Sequence, residues 1–369
     1  MTPEDLRADI PACERGVYFN TGASGPASRR VVEATTDFVE YHEYEAPVGD
    51  GAYPAAYAAF EEARERVADF LGADTGEIAL TQSTADGISR VAAAIDWTPG
   101  DVVVRTDVEH AAGVVPWWHL ERRGVETRVL ETAAGRVDLD DVAAAVEDAR
   151  LLCLNSVTWS HGTELPVADV VDIAHERGCQ VLVDAVQSPG QRPVDLSAWD
   201  ADFAAGAGHK WLLGPWGAGF LYANADRTAD AVPAQVGYRS VVDPGSADPE
   251  LKPGAGRFEV GTTSPAPYAG LVEAIETIED VGMGTITDRI ERLTDRLKAG
   301  LDGTLLSPRG YESGLVTFEA PDGESPERTV ERLAEEGIVV RSLPYPDAVR
   351  ASVHAFNTAA DVDALLDAL

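Results

Sequence analysis

The most informative stretch of the chain is Ala205-Gly206-Ala207-Gly208-His209-Lys210-Trp211-Leu212-Leu213-Gly214-Pro215-Trp216-Gly217-Ala218-Gly219-Phe220. It places a lysine after an apolar strand and before a glycine-rich turn. The 369-residue chain has only two other lysines, Lys252 and Lys298, and its other strongly basic residues are arginines. Lysine can form a Schiff base with a carbonyl compound, which arginine cannot. Lys210 therefore indicates covalent chemistry, although a lysine whose ammonium group merely reaches solvent is the alternative.

Strand-like and helix-like segments alternate around this stretch, from about residue 77 to residue 223. Apolar runs predict seven strands: Glu77–Thr81, Asp101–Thr106, Glu126–Glu131, Arg150–Val157, Gln180–Val186, Phe203–Gly208 and Gly217–Ala223. Amphipathic patterns predict the helices Ala85–Ile95, Leu139–Glu147 and Val167–Arg177. The alternation predicts an α/β fold with a mostly parallel seven-stranded sheet flanked by helices. In such sheets, ligands bind beyond the carboxyl ends of the strands.

The segments outside this sheet predict further helices and a second, smaller domain. Helical patterns occupy Ser28–Tyr44, Ala55–Leu71 and a long stretch from Pro267 to about Leu301, and a Pro- and Gly-rich loop occupies Val232–Gly256. Strands are predicted at Gly314–Ala320, Ile338–Leu343 and Ala351–Phe356, and helices at Pro326–Glu336 and Ala359–Leu369. We therefore expect a large α/β domain over residues 1–264 and a small α+β domain over residues 265–369.

Polar side chains follow three of the predicted strands. Asp184 ends a buried strand, where a carboxylate can pair with the protonated ring nitrogen of pyridoxal 5'-phosphate (PLP) and Gln187 can reach the ring hydroxyl; a turn role is the alternative. Ser83 and Thr84 stand at a strand–helix junction that favours phosphate, although both are also good helix N-caps. His110 follows another strand and can stack on an aromatic cofactor or relay a proton, unless it is structural.

The composition excludes several classes of partner. The 63 acidic and 29 basic residues give a net charge of −34, which repels nucleic acid and anionic lipid. No apolar run is long enough to span a membrane and no secretory signal is evident, so we expect a cytoplasmic protein. Dispersed acidic residues with almost no lysine are typical of a halophilic protein.

Cys13, Cys153 and Cys179 have no spacing that suggests disulfides or a zinc site, and we expect no metal.

Taken in order, these motifs resemble the class V aminotransferase family of fold-type I PLP enzymes, and its cysteine desulfurase and isopenicillin-N epimerase branches in particular. The resemblance covers nearly the whole chain, from the segment 18–24 to the segments 350–352 and 356–358. Its most specific part is Asp184 with Gln187, followed by Gly208-His209-Lys210 and Gly214-Pro215-Trp216-Gly217. The resemblance implies a PLP cofactor and a homodimer with shared active sites.

The resemblance also implies roles for residues around the cofactor. Lys210 would carry the internal aldimine and move protons, Asp184 would pair with the pyridine nitrogen, and Gln187 with the phenolic oxygen. His110 would stack on the ring and take part in catalysis. The phosphate would be held by Ser83, Thr84 and His209, and by Thr262 of the neighbouring subunit.

On the substrate side, the resemblance assigns two residues. Arg350 matches the arginine that clamps the substrate carboxylate, a task suited to its bidentate fork. Asn155 matches an asparagine close to the cofactor and to that carboxylate. Further residues expected to help line the pocket are Tyr18, Asn20, Trp117 and Tyr238.

Three positions depart from the desulfurase pattern. Ala207 replaces a phosphate-binding serine, and His110 stands alone where desulfurases often have two histidines, so the register of the stacking residue is open. The segment Arg341–Arg350 lacks the cysteine on which desulfurases accept sulfur.

We therefore expect an enzyme that acts at Cα of an amino acid, of the transaminase or C–S lyase type, and not a persulfide-forming desulfurase. The alternatives are an amino-acid epimerase and a non-catalytic binding protein; a nicotinamide oxidoreductase is disfavoured because no GxGxxG follows the first strand.

Overall fold

The architecture comes from a computed structural model that describes residues 1–301 and 303–369. In these residues the strands, in chain order, are β1 (Val17–Tyr18), β2 (Ile78–Thr81), β3 (Val102–Thr106), β4 (Glu126–Leu130), β5 (Ala149–Asn155), β6 (Gln180–Asp184), β7 (Phe203–Ala207), β8 (Gly219–Ala223), β9 (Leu315–Phe318), β10 (Ile338–Val339), β11 (Arg341–Pro344) and β12 (Asp347–Ser352). The α-helices are α1 (Pro3–Ala8), α2 (Arg29–Glu40), α3 (Ala52–Leu71), α4 (Thr84–Ala94), α5 (Val115–Leu120), α6 (Leu139–Ala145), α7 (Val167–His175), α8 (Leu196–Trp199), α9 (Ala266–Val281), α10 (Met283–Gly300), α11 (Pro326–Glu335) and α12 (Ala359–Ala368).

The central sheet contains the seven predicted strands in the order β2-β8-β7-β6-β5-β3-β4. Neighbours from β7 to β4 pair in parallel, whereas β8 runs antiparallel to both β2 and β7. Strands β7 and β8 are buried at every position. One apolar core includes Phe60 of α3 and Val170 of α7, and another includes Ile88 of α4 and Trp117 of α5. The predicted α/β fold with a mostly parallel sheet is confirmed.

The predicted helices are present, with shifted bounds and one division. Helix α2 ends at Glu40, short of the predicted Tyr44, and a single π-helical turn follows over Tyr41–Glu45. The helix predicted over residues 267–301 is two helices, because Gly282 has a φ of +86° and ends α9. In the described ranges, no helix is long and apolar enough to cross a lipid bilayer.

The smaller sheet has the antiparallel order β11-β12-β9. Its core combines Phe318 and Val349 from the strands with Leu297 of α10 and Leu365 of α12. The strand predicted over residues 351–356 instead ends at residue 352, and the one predicted over 338–343 is divided between β10 and β11, because the β11–β12 hairpin sets the register.

The N-terminal segment contributes to the same small domain. Strand β1 pairs in parallel with β10, with Val17 opposite Ile338, and Phe19 packs in the core formed by β9, β12 and their helices. The sequence analysis places residues 17–19 in the predicted large domain, residues 1–264. In the structure they contact residues of the predicted small domain, residues 265–369. This path brings the following residues, 20–25, towards the carboxyl ends of the central strands.

Candidate active site

One cleft lies beyond the carboxyl ends of β6 and β7, where the sheet topology predicts a ligand. Its volume is about 250 Å³. Eight residues that the sequence identified line it: Ser83, Thr84, His110, Asp184, Gln187, His209, Lys210 and Arg350. These residues come from distant parts of the chain, and the fold brings them together.

Lys210 lies in a tight turn directly after β7. The Leu213 N–H donates a hydrogen bond to the Lys210 carbonyl (3.0 Å), and the Gly25 N–H donates to the His209 carbonyl (2.7 Å). A Cβ atom on Gly25 would lie 2.1 Å from the Lys210 carbonyl oxygen, so this approach of the N-terminal segment requires glycine. The backbone of the lysine is therefore fixed from two sides.

The electrostatics of the cleft couple Lys210 to Asp184. Burial lowers the pKa of the Lys210 amine to about 8; Arg350 and Arg341 add to this effect and Asp184 opposes it. Asp184 Oδ1 accepts a hydrogen bond from the Val186 N–H (3.0 Å). Burial raises the pKa of Asp184, although Lys210 and the Val186 N–H act against it. A cationic partner in the cleft would keep this carboxylate ionised.

The N-terminus of α4 forms a polar corner of the cleft. Ser83 Oγ caps the helix by accepting a hydrogen bond from the Asp86 N–H (3.2 Å), whereas the first N–H groups of a helix have no intrahelical acceptor. The Thr84 hydroxyl is buried and, in residues 1–301 and 303–369, has no hydrogen-bond partner. Free N–H groups, the helix dipole and an unpaired hydroxyl together fit a phosphate.

The two histidines that line the cleft are neutral. Burial, followed by the charge of Lys210, lowers the pKa of His110 and that of His209 to about 4. His110 Nδ1 accepts a hydrogen bond from the Ala112 N–H (3.3 Å), which leaves Nε2 as its protonated nitrogen. A neutral ring can pack on an aromatic cofactor without adding charge, but that His110 does so stays a prediction.

The guanidinium of Arg350 is almost fully buried, since the residue is 1% exposed. Its Nη1 donates a hydrogen bond to the Trp159 carbonyl oxygen (2.7 Å). Its Nε and Nη2 are buried and have no hydrogen-bond partner in the part of the chain that the structure describes. Burial and the nearby Arg341 lower the pKa of this group, yet arginine stays charged in proteins. Two unpaired donors on one planar cation fit an incoming carboxylate.

The side-chain amide of Gln187 already makes two hydrogen bonds within the protein. Its Oε1 accepts a hydrogen bond from the Trp211 Nε1–H (2.7 Å), and its Nε2 donates to the Gly22 carbonyl (3.0 Å). One Nε2 hydrogen remains for a ligand in the cleft. The predicted contact with a ring hydroxyl is therefore compatible with this network.

Two of the predicted site residues do not line the cleft. Asn155 is buried at the end of β5, opposite Asp184 in the sheet register, and its Nδ2 donates to the carboxyl group of Glu109 (2.9 Å). Thr262 lines a separate surface cavity and is hydrogen-bonded to Tyr238. Asn155 thus lies behind the cleft, and Thr262 is outside it.

The additional pocket residues proposed from the sequence are not among those that line this cleft. Trp117 is fully buried in an apolar core and packs against Trp97, with ring centroids 6.4 Å apart, because α5 turns this face towards the sheet. Its expected place in the pocket is wrong. The other three residues also lie elsewhere: Tyr18, Asn20 and Tyr238.

The sequence analysis assigned no role to four large or charged residues in or behind the cleft. Trp159, Trp216 and Arg341 line it, and buried Glu109 accepts a hydrogen bond from the Thr106 hydroxyl (2.6 Å). Burial raises the pKa of Glu109 to about 8, and the neighbouring Asp184 adds to this effect. Glu109 is adjacent to His110 in sequence, Trp216 lies in the motif that follows Lys210, and Arg341 begins the segment that ends at Arg350, whereas Trp159 had no such signal.

Comparison with known proteins identifies the family. The family model described as "Aminotransferase class-V" matches residues 17–365. The chain belongs to this family. It is 34% identical to a probable cysteine desulfurase of Methanothermobacter thermautotrophicus, over 100% of this chain and 98% of that protein. It is 32% identical to the isopenicillin N epimerase of Streptomyces clavuligerus, over 96% of this chain and 94% of that protein.

Solved structures similar to this chain include two of the lyase C-DES. In one, the cystine C–S lyase is bound to its reaction product cysteine persulfide; the TM-score is 0.92 at 28% identity, over 97% of this chain and 98% of that chain. In the other, a C-DES mutant has glycine covalently linked to the PLP cofactor; the TM-score is 0.93 at 27% identity, over 98% of both chains. The fold-type I architecture is thus confirmed.

PLP is the cofactor of this enzyme, and the cleft fits it. The unpaired Thr84 hydroxyl at the start of α4 is suited to its phosphate, and the Asp184 carboxylate to its ring nitrogen. The amine of Lys210, with its lowered pKa, is suited to its aldehyde. These are assignments of residues to the cofactor, and the individual contacts stay predictions.

Proposed function

We propose that this enzyme is a C–S lyase that cleaves the Cβ–S bond of an amino acid with a carboxylate at each end, such as L-cystine. The observation that carries the proposal is the pairing of Arg341 on β11 with Arg350 on β12. Both residues line the cleft that contains Lys210. Side chains directly opposite each other on antiparallel strands are close neighbours, and like charges there are unfavourable without an anion.

Arg341 is the residue available to the second carboxylate. It is exposed, and within the described residues it makes no ion pair and no hydrogen bond, whereas Arg350 offers its two unpaired donors to the first carboxylate. The charge of Arg341 lowers the pKa of Arg350 and of Lys210. A dianionic substrate would relieve this repulsion, and the name of C-DES, a cystine C–S lyase, supports the same substrate class.

The chemistry of such a β-elimination balances without an oxidant. PLP, when bound, stabilises the negative charge that develops at Cα. Lys210 accepts the Cα proton, the electron pair of that bond forms the Cα=Cβ bond, and the Cβ–S bond breaks with its pair on sulfur. From cystine the leaving group is cysteine persulfide, and the remaining enamine reacts with water to give pyruvate and ammonia.

The cysteines support release of sulfur to solution. In the described part of the chain, none of them lines the cleft. Cys153 and Cys179 are buried, and burial raises the pKa of both thiols. Burial also raises the pKa of the Cys13 thiol, to about 11. A persulfide relay needs an accessible thiolate, so we propose that no protein cysteine carries the sulfur.

We expect the purified holoenzyme to form pyruvate from L-cystine without an added thiol, and the Arg341→Met variant to do so less efficiently. The variant should lose about tenfold in kcat/KM for cystine, as expected for one partly exposed charged contact. Its kcat/KM for β-chloro-L-alanine, which has one carboxylate, should change little. Steady-state pyruvate assays with both substrates measure this. Equal losses with both substrates would contradict the role of Arg341.

The same assay separates the other candidate reactions. Formation of a 2-oxo acid only when an amino-group acceptor is added would indicate transamination. Inversion at Cα in deuterated water without pyruvate would indicate an epimerase, the activity named for the Streptomyces relative. Sulfur recovered as a persulfide on a protein cysteine would restore the desulfurase alternative. Any of these outcomes would replace the C–S lyase proposal.

We also propose a homodimer in which Thr262 reaches the cofactor phosphate of the partner. Thr262 lies outside the cleft of its own chain, beside the exposed Tyr238. We expect sedimentation equilibrium to give twice the chain mass of 39.2 kDa, and Thr262→Val to weaken PLP retention without dissociating the dimer. A monomeric holoenzyme with full activity would exclude this arrangement.

A further inference from the structure

We propose that the indole N–H of Trp159 donates a hydrogen bond to a carboxylate oxygen of the bound substrate, which makes Trp159 a substrate-binding residue. The inference rests on the proposed binding of an amino acid in the cleft but not on cleavage of a C–S bond. Trp159 lines the cleft. Its Nε1 is buried and has no hydrogen-bond partner in residues 1–301 and 303–369. Buried donors in native proteins rarely stay unpaired, so an acceptor is expected to arrive with a ligand.

The position of Trp159 points to the carboxylate as that acceptor. The backbone carbonyl of Trp159 accepts the hydrogen bond from Arg350 Nη1 (2.7 Å), so the tryptophan and the arginine form one wall of the cleft. Arg350 Nε and Nη2 are also buried and unpaired in the described residues. One wall thus presents three unpaired N–H donors, an arrangement suited to an anionic oxygen acceptor and unsuited to an apolar one.

The segment that carries Trp159 is rigid, which allows its indole to serve as a fixed donor. The Thr158 N–H donates to the Thr163 carbonyl (2.8 Å), and the Gly162 N–H donates to the Thr158 carbonyl (2.8 Å). The hydroxyl of Thr317, on β9, donates to the Ser160 carbonyl (2.6 Å). The small domain thus anchors this turn, and a preorganised donor binds its ligand with less loss of entropy.

The rings around Trp159 orient the indole further. His110 stands perpendicular to it, with ring centroids 5.5 Å apart. The other tryptophan of the cleft, Trp216, differs because its Nε1 already donates to Ser24 Oγ (3.1 Å) and the residue is 69% exposed. A control outside the cleft is Trp118 of α5, which is 62% exposed and does not line the cleft.

The test removes the indole N–H and keeps an aromatic ring. Trp159→Phe leaves a phenyl ring against His110, and Trp118→Phe is the control. Binding of glycine to the holoenzyme, followed by the change in cofactor absorbance, should weaken about tenfold in Trp159→Phe, the loss expected for one hydrogen bond to a charged acceptor. It should stay within twofold of wild type in Trp118→Phe. Binding of ethylamine, which lacks a carboxylate, should be equal in all three proteins.

Kinetics and NMR provide independent readouts. KM for the amino-acid substrate should rise in Trp159→Phe while kcat stays within about threefold, as for an interaction that is equal in the ground and transition states. In the wild type, the indole N–H resonance that Trp159→Phe lacks should shift downfield when glycine binds. Unchanged glycine affinity in Trp159→Phe, or an equal loss of ethylamine binding, would overturn the proposal.

These outcomes are separable from failure of the lyase proposal. If the enzyme does not cleave cystine but Trp159→Phe still loses glycine affinity selectively, Trp159 binds the carboxylate and only the reaction type is wrong. If Trp159→Phe loses the cofactor band altogether, the wild-type NMR titration decides alone. An indole resonance that does not move at saturating glycine would then overturn the role of Trp159.

Discussion

Replacing Lys210 by alanine is expected to remove the borohydride-reducible link between the cofactor and the protein and to lower turnover by at least about 1,000-fold. Lys210 is the lysine of this chain that lines the cleft, in the described residues, and its backbone is fixed by Gly25 and by its own turn. Alanine provides neither an amine for the cofactor aldehyde nor a base for the Cα proton. The measurement is the visible spectrum before and after borohydride, with the reduced adduct mapped by mass spectrometry.

Two further variants make this test specific. Lys210→Arg keeps the positive charge but cannot form a Schiff base, so it should lack the reduced cofactor–protein adduct as fully as alanine does. Lys252→Ala removes a lysine that does not line the cleft and should behave as wild type. Turnover by Lys210→Ala at the wild-type rate, or a borohydride adduct on Lys252 or Lys298, would refute the assignment of Lys210.

The lowered pKa of Lys210 adds a pH dependence to the same prediction. Only the neutral amine attacks an aldehyde. With a pKa of about 8, about one amine in ten is neutral at pH 7, against fewer than about one in a thousand for an ordinary lysine. The rate at which cofactor-free protein takes up PLP should therefore rise about tenfold from pH 6 to pH 7 and level off above pH 8. A rate that continues to climb beyond pH 9 would indicate an unperturbed lysine.

Local signals predicted the sheet and the residues at its strand ends. The seven strands are short apolar runs bounded by turns, and their side chains need no distant partner to be recognised as buried. Lys210, Asp184 and Thr84 follow such strands directly, so the rule for the carboxyl ends of parallel strands brought them to one cleft. Family resemblance then added Arg350, which no strand pattern could have placed there.

Long-range packing determined what the sequence did not reveal. Trp159 and Arg341 both neighbour Arg350 of β12 in the cleft, Trp159 through a backbone hydrogen bond and Arg341 through strand pairing. Trp117 is near His110 in sequence, but α5 turns it into the core. The apolar periodicity continues across Gly282 and therefore predicted a single helix, whereas a positive φ at this residue ends α9. Each error concerns a contact or a backbone angle that residue type alone leaves open.

Replacing Arg350 by lysine is expected to raise KM for amino-acid substrates by about 30-fold or more, since loss of a buried charge pair costs about 2–5 kcal/mol. The guanidinium donates to the Trp159 carbonyl with Nη1 and keeps Nε and Nη2 free. A lysine ammonium is a point donor and cannot keep that anchor while presenting a planar pair to a carboxylate. Steady-state kinetics measure the effect. The control is Arg296→Lys, because Arg296 forms an exposed ion pair with Asp363 outside the cleft.

Thermal stability distinguishes a substrate-binding arginine from a structural one. In the protein without substrate, Arg350 is a buried cation with two unpaired donors and with Arg341 opposite it in the hairpin. Replacing a buried unpaired charge by an apolar side chain of similar length removes its desolvation cost. Arg350→Met should therefore raise the melting temperature by about 1–3 °C while amino-acid binding is lost. A fall in melting temperature together with an unchanged KM would show that Arg350 stabilises the fold through its hydrogen bond to Trp159 and does not bind the substrate.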